Sequence, residues 1–256
     1  IGSFGAPANS VRDTVLHIIH ETPGIKRLEV SIDDFPVTYD DDYFLAYRVF
    51  EEIKILSIRS DETIRDPYIA SVFRGDSSFV YQSTGANAVN YSDLGNYDFI
   101  ILNELPHISS GLATELESFI KNGGSVWLIP SQNVNIEDYN RFLNAINAGA
   151  VLQKIEKATD VRRLNTEHPL YSGVFDEIPR NLDLPKVKNY YKFSRAVSGH
   201  ADDLMTFSNG DLFLTSYAAG QGRFYLLAAP LSDEGNSFAR HALFVATALR
   251  MGELSR

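Results

Sequence analysis

The hydrophobic and polar positions of the chain change their pattern near residue 50. Before it, residues 14–21, 25–32 and 43–49 are rich in β-branched, apolar and aromatic side chains, with turn-forming residues and no helical segment between them. Consecutive strands without intervening helices usually pair antiparallel. We therefore predict three antiparallel strands that form a small β module over residues 1–50.

From Ile53 onward, strand-like and helix-like segments alternate. Nearly continuous apolar runs, typical of strands covered on both faces, occupy residues 53–58, 79–83, 97–102 and 126–129. Segments with one apolar face follow some of them and begin at capping residues, namely Asp66, Ser109 or Ser110, and Asn135. This alternation predicts an α/β domain over residues 51–256 with a doubly wound, mostly parallel sheet.

The second half of this domain has a weaker pattern. Residues 151–200 contain prolines and aromatic residues without a sustained period, which favours short strands and loops. Asn209-Gly210 predicts a hairpin turn, residues 220–222 predict a second turn, and residues 224–229 read as a buried strand. A final helix is predicted from Ser237, with one apolar face formed by Phe238, Ala242, Val245 and Leu249.

Composition and charge exclude several kinds of function. The chain has 33 acidic and 23 basic side chains, a net charge of -10 that disfavours binding to nucleic acid. It contains no cysteine, which excludes thiol nucleophiles, thiolate metal sites and disulfides. No apolar run reaches the roughly 20 residues that a membrane-spanning helix needs, and the first residues do not resemble a signal peptide.

Candidate ligand-binding residues lie in the loops that follow the predicted strands. In open α/β sheets, ligands bind beyond the carboxyl ends of the strands. These loops contain Ser60-Asp61, Asn103-Glu104 and Ser131-Gln132-Asn133. Ser131 occupies a place typical of a nucleophile, but Pro130 and Gln132 are not the small neighbours that a nucleophile elbow requires. A local turn-capping role is therefore favoured for Ser131.

Glu104 and His107 form the one acid–base pair that is close in sequence at this edge. Glu104 is a candidate general base, because partial burial at a strand end raises a carboxyl pKa. The alternative is a capping or helix-dipole partner for the helix that begins near Ser109, and this alternative is favoured. The Glu104/His107 pair is kept as a candidate site.

No metal or cofactor is predicted. His17 and His20 would point to opposite faces of a strand, and the aspartates within residues 33–42 lack the spacing of a calcium loop. Gly123-Gly124 follows a helix instead of opening one, so it is not a phosphate-binding loop. A structural role is expected for His168 in its loop, whereas His241 on the final helix could face inward or outward.

Residues 97–133, YDFIILNELPHISSGLATELESFIKNGGSVWLIPSQN, carry a resemblance to a known family. Their order of strand, helix with a Phe-Ile-x-x-Gly-Gly end, and strand resembles the core of class I glutamine amidotransferase-like domains. This resemblance implies a flavodoxin-like sheet. More narrowly, residues 30–49, 168–175 and 220–249 resemble the soluble region of BatA-like proteins of Bacteroidetes.

The resemblance implies a location and the absence of an activity. BatA-like proteins carry N-terminal membrane helices, which implies that this chain is the periplasmic part of an inner-membrane-anchored protein. Residues 1–50 would then end a β-sandwich-like domain, and membrane contact would come only through upstream helices. Amidotransferases carry a catalytic cysteine, paired with a histidine and a glutamate, in the loop where this chain has residues 130–133, PSQN. Amidotransferase chemistry is therefore not expected.

Two functions follow from these features. The favoured one is a non-catalytic amidotransferase-like domain that serves as an interaction or scaffolding module for other envelope proteins, of the Bat aerotolerance type. The alternative is a sugar-class ligand-binding protein or hydrolase that uses the strand-end crevice. Its polar floor would consist of Asn103, Glu104, Ser131, Gln132 and Asn133, beside His107. A metal-dependent enzyme is the weakest hypothesis, because no ligand constellation is visible.

Overall fold

The chain forms two compact units, Ile1–Glu51 (unit 1) and Glu52–Arg256 (unit 2). The structure, a computed structural model, describes Ile18 and residues 22–31, 41–49, 52–61, 66–175, 183–196, 201–231 and 235–256. No helix among these described residues is long and apolar enough to cross a membrane.

Unit 1 contains an antiparallel ribbon of two strands, β1 (Gly24–Ser31) and β2 (Asp42–Val49). Gly24 lies opposite Val49 and Ser31 lies opposite Asp42, so the two strands pair over their full length. The prediction of antiparallel pairing is confirmed for these two strands. The predicted strand at residues 14–21, with His17 and His20, lies outside the described residues except for Ile18.

Unit 2 begins with the alternation of strands and helices that its apolar runs predict. The first elements are β3 (Ile53–Arg59), α1 (Ile69–Arg74), β4 (Phe79–Gly85), β5 (Phe99–Leu105), α2 (Ser110–Lys121), β6 (Ser125–Pro130) and α3 (Ile136–Ala145). Their order is the predicted one, and the local capping signals explain where two of the helices begin. The side chain of Ser109 accepts the N–H of Leu112 and starts α2, and that of Asn135 accepts the N–H of Asp138 and starts α3.

The remaining elements of unit 2 are mostly short strands. They are β7 (Val151–Ile155), β8 (Thr159–Leu164), β9 (Lys186–Val187), β10 (Tyr190–Phe193), β11 (Ala201–Phe207), β12 (Leu212–Ala219), β13 (Gly222–Leu227) and α4 (Ala242–Glu253). The predicted turns at Asn209-Gly210 and at residues 220–222 are confirmed, because they join antiparallel partners β11–β12 and β12–β13.

Nine strands form one sheet in the order β4-β3-β5-β6-β13-β12-β11-β8-β9. The pairings from β4 to β13 are parallel, and those from β13 to β9 are antiparallel. The prediction of an α/β fold with a large sheet is confirmed. The antiparallel extension enlarges the predicted sheet on one side, and β7 pairs with β10 in a separate ribbon.

Helices cover both faces of the parallel half. Every residue of Ser125–Pro130 is buried, as are residues 99–102, which requires cover on both sides of the sheet. The helices pack in two pairs, α1 with α4 and α2 with α3. Amphipathic stripes of α2 and α3 supply much of this core, as their sequence periodicity predicts; their buried residues are Leu112, Ala113, Leu116, Phe119, Ile120, Tyr139, Phe142 and Leu143.

The predicted final helix starts later than expected and buries a different face. Phe238 is buried, but it lies in a 3-10 turn, Phe238–Arg240, that precedes the helix. His241 caps α4 by accepting the N–H of Leu243, and this cap fixes the helix start at Ala242. Val245 is 45% exposed, so the predicted apolar face is wrong. The residues of α4 that are buried are Leu243, Phe244, Thr247, Ala248, Met251 and Gly252.

Hydrogen bonds from Arg256 connect the two ends of unit 2. Arg256 donates from Nε to Asp98 Oδ1 at 2.9 Å and from Nη2 to Asp98 Oδ2 at 3.1 Å. The same Nη2 donates to the carbonyl oxygen of Glu52 at 3.0 Å. Asp98 Oδ2 also accepts the backbone N–H of Lys54 at 2.8 Å. This bidentate contact holds Arg256 beside the start of β3.

Candidate functional site

The parallel strands β3, β4 and β5 end at the same edge of the sheet. β3 lies between β4 and β5, so the chain leaves β3 in one direction to reach β4 and then crosses to the other side to form β5. Such a reversal is a topological switch point, where open α/β sheets bind their ligands. The loops chosen from the sequence, after residues 59, 102 and 130, lie at this edge.

Asp66 connects three elements at the switch point. Its Oδ2 accepts hydrogen bonds from Asn103 Nδ2 at 2.8 Å and from the Tyr81 hydroxyl at 3.0 Å. Its Oδ1 accepts the N–H of Ile69 at 2.9 Å, which is the helix-start contact expected of Asp66. Burial raises the pKa of Tyr81, and the negative charge of Asp66 raises it further, so this phenol stays a donor.

Glu104 adopts a left-handed backbone conformation that is uncommon for its residue type. Its φ is 56°, and the register of β5 with β6 shifts between Asn103 and Leu105, which marks a bulge. Ser109 supplies the N-cap of α2, so Glu104 does not, and a helix-dipole role for Glu104 stays a prediction. Its charge helps to raise the pKa of the Tyr139 phenol, whose largest cause is burial. Strain of this kind in a strand-end loop is associated with functional positions.

Ser131 is held in a local turn. Its hydroxyl donates to the carbonyl oxygen of Asn133 at 2.8 Å and accepts the N–H of Asn133 at 3.2 Å. Among the described non-glycine residues, positive φ occurs at Glu104 and Asn147, so Ser131 lacks the strained backbone of a nucleophile elbow. The carbonyl oxygen of Gln132 accepts the Tyr191 hydroxyl at 2.8 Å, which fastens this loop to β10.

A cleft of about 710 Å³ opens at this edge of the sheet. The Nδ1 atom of His107 lies 3.4 Å from Asp138 Oδ2 on α3, and the hydroxyls of Tyr91 and Ser109 are 3.2 Å apart. The carboxylate beside His107 is therefore that of Asp138, and the expected Glu104/His107 pair stays a prediction. The residues that line the cleft are Ser60, Ala86, Asn87, Val89, Tyr91, Leu105, Pro106, His107, Ser109, Leu112 and Asp138.

The six candidate residues from the sequence do not all lie in this cleft. His107 lines the cleft, and Asn103 lies behind it in the hydrogen-bonded group around Asp66. Glu104 lies near the end of β5, and the loop Ser131-Gln132-Asn133 follows the neighbouring strand β6, but neither is among the described residues that line this cleft. Sequence reasoning missed Tyr91 and Asp138, because both lie outside the strand-end loops.

His168 is a buried structural histidine, as expected from its loop. It is 7% exposed, its Nδ1 accepts the N–H of Leu170 at 3.1 Å, and its Nε2 lies 3.5 Å from Asp202 Oδ2. Burial lowers the pKa of its imidazole, and the Arg223 charge acts in the same direction, whereas Asp202 opposes both. Protonation of Nδ1 would also place its N–H opposite the N–H of Leu170, so two donors would face each other.

This histidine should make the stability of the protein fall in weak acid. Because the folded-state pKa lies below the ordinary value of 6.5, the unfolded chain binds the proton first as the pH falls. The stabilising contribution is complete above pH 6.5 and is lost as the pH falls through the lowered folded-state pKa. Urea unfolding between about pH 8 and pH 5.5 should show this slope. His168→Asn, which keeps an acceptor for Leu170, should flatten it; an unchanged slope would contradict the assignment.

Three solved structures have a similar fold. A cytoplasmic protein from Salmonella typhimurium is 14% identical with a TM-score of 0.60, over 90% of this chain and 95% of that chain. A ThuA-like protein from Bacteroides uniformis is 15% identical with a TM-score of 0.52, over 87% and 93% of the two chains. A cold-adapted β-galactosidase from Rahnella sp. R3 is 13% identical with a TM-score of 0.53, over 78% of this chain and 31% of that chain.

At these identities the similarity concerns the fold. It shows an α/β fold that resembles ThuA-like proteins, which fits the amidotransferase-like core expected from residues 97–133. No protein-family model matches the sequence, and no curated protein matches it. The narrower resemblance to BatA-like proteins stays a prediction, as does the expectation of envelope partners.

The predicted location is contradicted. The sequence resemblance implied a periplasmic domain of a membrane-anchored protein, but the Salmonella typhimurium protein, whose structure matches nearly the full length of both chains, is named as a cytoplasmic protein. The error has a simple origin, because the location came entirely from the BatA-like resemblance and from no feature of the residues themselves.

Proposed function

We propose that this chain is a ligand-binding domain without covalent catalysis, which holds a small hydroxylated molecule of the sugar class in the cleft at the carboxyl ends of β3, β4 and β5. The observation that carries the proposal is the convergence of an aromatic ring, an imidazole–carboxylate pair and two hydroxyls in one cleft. These groups belong to Tyr91, His107, Asp138 and Ser109.

The groups in the cleft match the chemistry of a sugar. Tyr91 is 38% exposed, so its ring can stack on the apolar face of a pyranose while its hydroxyl stays within the polar contact to Ser109. Asp138 accepts hydrogen bonds from sugar hydroxyls. The exposed ring nitrogen of His107 forms one more hydrogen bond to a sugar hydroxyl. The cleft volume of about 710 Å³ lies within the range of small-molecule sites.

The same geometry supports binding over hydrolysis. Ser131, at the position of the amidotransferase nucleophile, uses its hydroxyl within its own turn. The Ser109 hydroxyl accepts the N–H of Leu112 and contacts Tyr91, so it is engaged in capping α2. Nucleophilic catalysis needs a hydroxyl within reach of an activating base. The β-galactosidase among the similar structures acts on a sugar, which supports the ligand class.

The test is calorimetric titration and thermal unfolding with galactose, glucose and lactose. A bound sugar at a hundred times its Kd should raise the free energy of unfolding by about 2.7 kcal/mol. Tyr91→Ala and Asp138→Asn should each weaken the binding about tenfold or more, because each removes a contact to the ligand. Ser131→Ala is the matched control: it should cost about 1 kcal/mol of stability and leave the affinity unchanged.

Two results would contradict this proposal. One is the absence of any sugar-dependent shift in wild-type protein at millimolar concentrations. The other is turnover of an ester, amide or glycoside that Ser131→Ala abolishes, which would restore a catalytic role to the loop after β6.

A protein-interaction role is a second candidate, and unit 1 favours it. The β1–β2 ribbon exposes Ile25, Tyr43, Phe44 and Leu45 by 68%, 63%, 69% and 41%. Tyr43 and Leu45 share one face of the ribbon and Ile25 and Phe44 share the other, and exposed apolar residues on a two-stranded ribbon are typical of a segment that contacts another protein. Phe44→Lys should abolish such an interaction, and a partner complex that tolerates this charge would contradict the role.

A further inference from the structure

A second cavity, of about 410 Å³, lies on the antiparallel half of the sheet. We call it the β12 cavity. The strand register explains its lining: Thr206 lies opposite Arg163, Asp203 opposite Thr215 and Ala201 opposite Tyr217, so side chains of β8, β11 and β12 share one face. The complete lining is Arg163, Asn165, Arg195, Ala196, Ala201, Asp202, Asp203, Thr206, Leu212, Thr215 and Tyr217.

Two hydroxyls of β12 at this cavity are buried without a well-formed hydrogen bond. Thr215 is 1% exposed and Tyr217 is 3% exposed; in the described part of the chain neither hydroxyl makes a well-formed hydrogen bond, and the weak contact of Tyr217 is with the Thr215 hydroxyl itself. A buried hydroxyl without a partner is costly, and native proteins seldom retain one without a reason. Burial raises the pKa of Tyr217 to about 12, so its phenol is a hydrogen-bond donor at neutral pH. Both residues line the cavity, and because their hydroxyl oxygens are closed to solvent, a bound molecule reaches them after a small side-chain movement.

The charges around the cavity leave one cation for a ligand. Arg195 forms an ion pair with Asp203, and Asp202 lies 3.5 Å from His168 Nε2. Arg163 is exposed, and no carboxylate in the described residues forms an ion pair with it. The neighbouring aspartates disfavour a multiply charged anion at this position. Arg163 is accordingly the cation of the lining without a described ion-pair partner, beside the negative charge of Asp202 at the rim and neutral hydroxyls at the floor.

We propose that the β12 cavity binds a small monoanion that carries hydroxyl groups, a polyhydroxy carboxylate such as a sugar acid. Arg163 binds the carboxylate, for which the planar guanidinium is well matched. The hydroxyls of Thr215 and Tyr217 bond to polar atoms of the ligand, which satisfies the two groups that are unpaired inside the protein. This site is separate from the cleft at the carboxyl ends of β3, β4 and β5, and it does not depend on a sugar binding there.

The test is calorimetric titration with gluconate, with glucose as its neutral counterpart. Gluconate should bind wild-type protein, glucose should bind more weakly in this cavity, and Arg163→Gln and Tyr217→Phe should each reduce the gluconate affinity about tenfold or more. Tyr225→Phe is the matched control, because Tyr225 also carries a buried hydroxyl without a described partner but does not line the cavity. It should bind gluconate as wild-type protein does.

Stability provides a second readout. Without ligand, Tyr217→Phe should unfold at the same temperature as wild-type protein or at a higher one, since the change removes an unpaired buried hydroxyl. A clearly lower temperature would show that the hydroxyl already has a partner and would overturn the proposal.

Binding experiments can also overturn it. The proposal fails if wild-type protein does not bind gluconate, or if Tyr217→Phe or Arg163→Gln binds it with unchanged affinity. It also fails if Tyr91→Ala, a change in the other cleft, abolishes gluconate binding while Arg163→Gln does not. Retention of gluconate binding in Tyr91→Ala distinguishes this cavity from the site of the proposed function.

Discussion

Gly222→Ala should destabilise unit 2 by at least about 3 kcal/mol, the largest effect expected of any single methyl group added to this chain. A Cβ at Gly222 would lie 2.1 Å from the carbonyl oxygen of Gly124 and 2.3 Å from that of Ile120. Both obstacles are backbone atoms, so no side chain can move aside. Relief would require β13 to separate from β6, where the parallel and antiparallel halves of the sheet meet.

Gly210→Ala is the matched control for this prediction. Gly210 has a φ of 82°, and a Cβ there would meet nothing within 4 Å, so its cost is conformational only, about 1–2 kcal/mol. The two variants are compared by urea unfolding monitored by circular dichroism. If Gly222→Ala is too unstable to titrate, the yield of protease-resistant protein is compared instead. Equal unfolding midpoints for the two variants would contradict the close packing at Gly222.

Asp66→Ala should cost about 3 kcal/mol, although Asp66 is only partly buried. The change removes the acceptor of three hydrogen bonds at once, those from Asn103, the Tyr81 hydroxyl and the N–H of Ile69. These donors belong to β5, β4 and the start of α1, so the loss should loosen the whole switch point. The stability of Asp66→Asn should lie between those of Asp66→Ala and wild-type protein. Its amide oxygen can still accept a hydrogen bond, but its amino group is a donor that faces the amino group of Asn103.

Asp76→Ala is the control that shows how much stability is lost when an ordinary turn aspartate is removed. Asp76 Oδ1 accepts one backbone N–H, that of Ser78 at 2.8 Å, in an exposed turn, and its removal should cost about 1 kcal/mol. The free energy of unfolding from urea titrations decides the comparison. If Asp66→Ala and Asp76→Ala lost the same stability, the connecting role of Asp66 would be disproved.

The sequence was most informative where structure is decided locally. The starts of α2 and α3 were predicted from Ser109 and Asn135, because a capping side chain and the N–H that it satisfies are three residues apart. The turns at residues 209–210 and 220–222 were predicted for the same reason. The last helix was mispredicted by several residues because a histidine, His241, provides the cap, and histidine is a weak capping signal.

The antiparallel half of the sheet was much harder to predict. Its strands β8 and β9 contain six and two residues, and their register depends on partners far away along the chain. Strand β6 pairs with β13 across a long intervening segment, and no periodicity within either strand reveals that neighbour. Long-range pairing of this kind is decided by the assembled core and not by local preference.

The candidate site shows the same division. The edge of the sheet was predicted correctly, because the carboxyl ends of the strands can be located in the sequence. The pairings at that edge were not, since His107 meets Asp138 31 residues later and Asp66 meets Asn103 37 residues later. Proximity in sequence suggested Glu104 as the acidic neighbour of His107, whereas the carboxylate beside it in the fold belongs to a distant residue.

The contact of Arg256 with Asp98 and Glu52 has a consequence for connectivity. Because the guanidinium reaches the carbonyl oxygen of Glu52 directly, both ends of unit 2 lie on one side, within the span of a short glycine-rich linker. A circularly permuted gene that joins these ends and opens the chain at the exposed hairpin of Asn209-Gly210 should therefore encode the same nine-stranded sheet. The order in which the strands leave the ribosome would change while their neighbours stay the same.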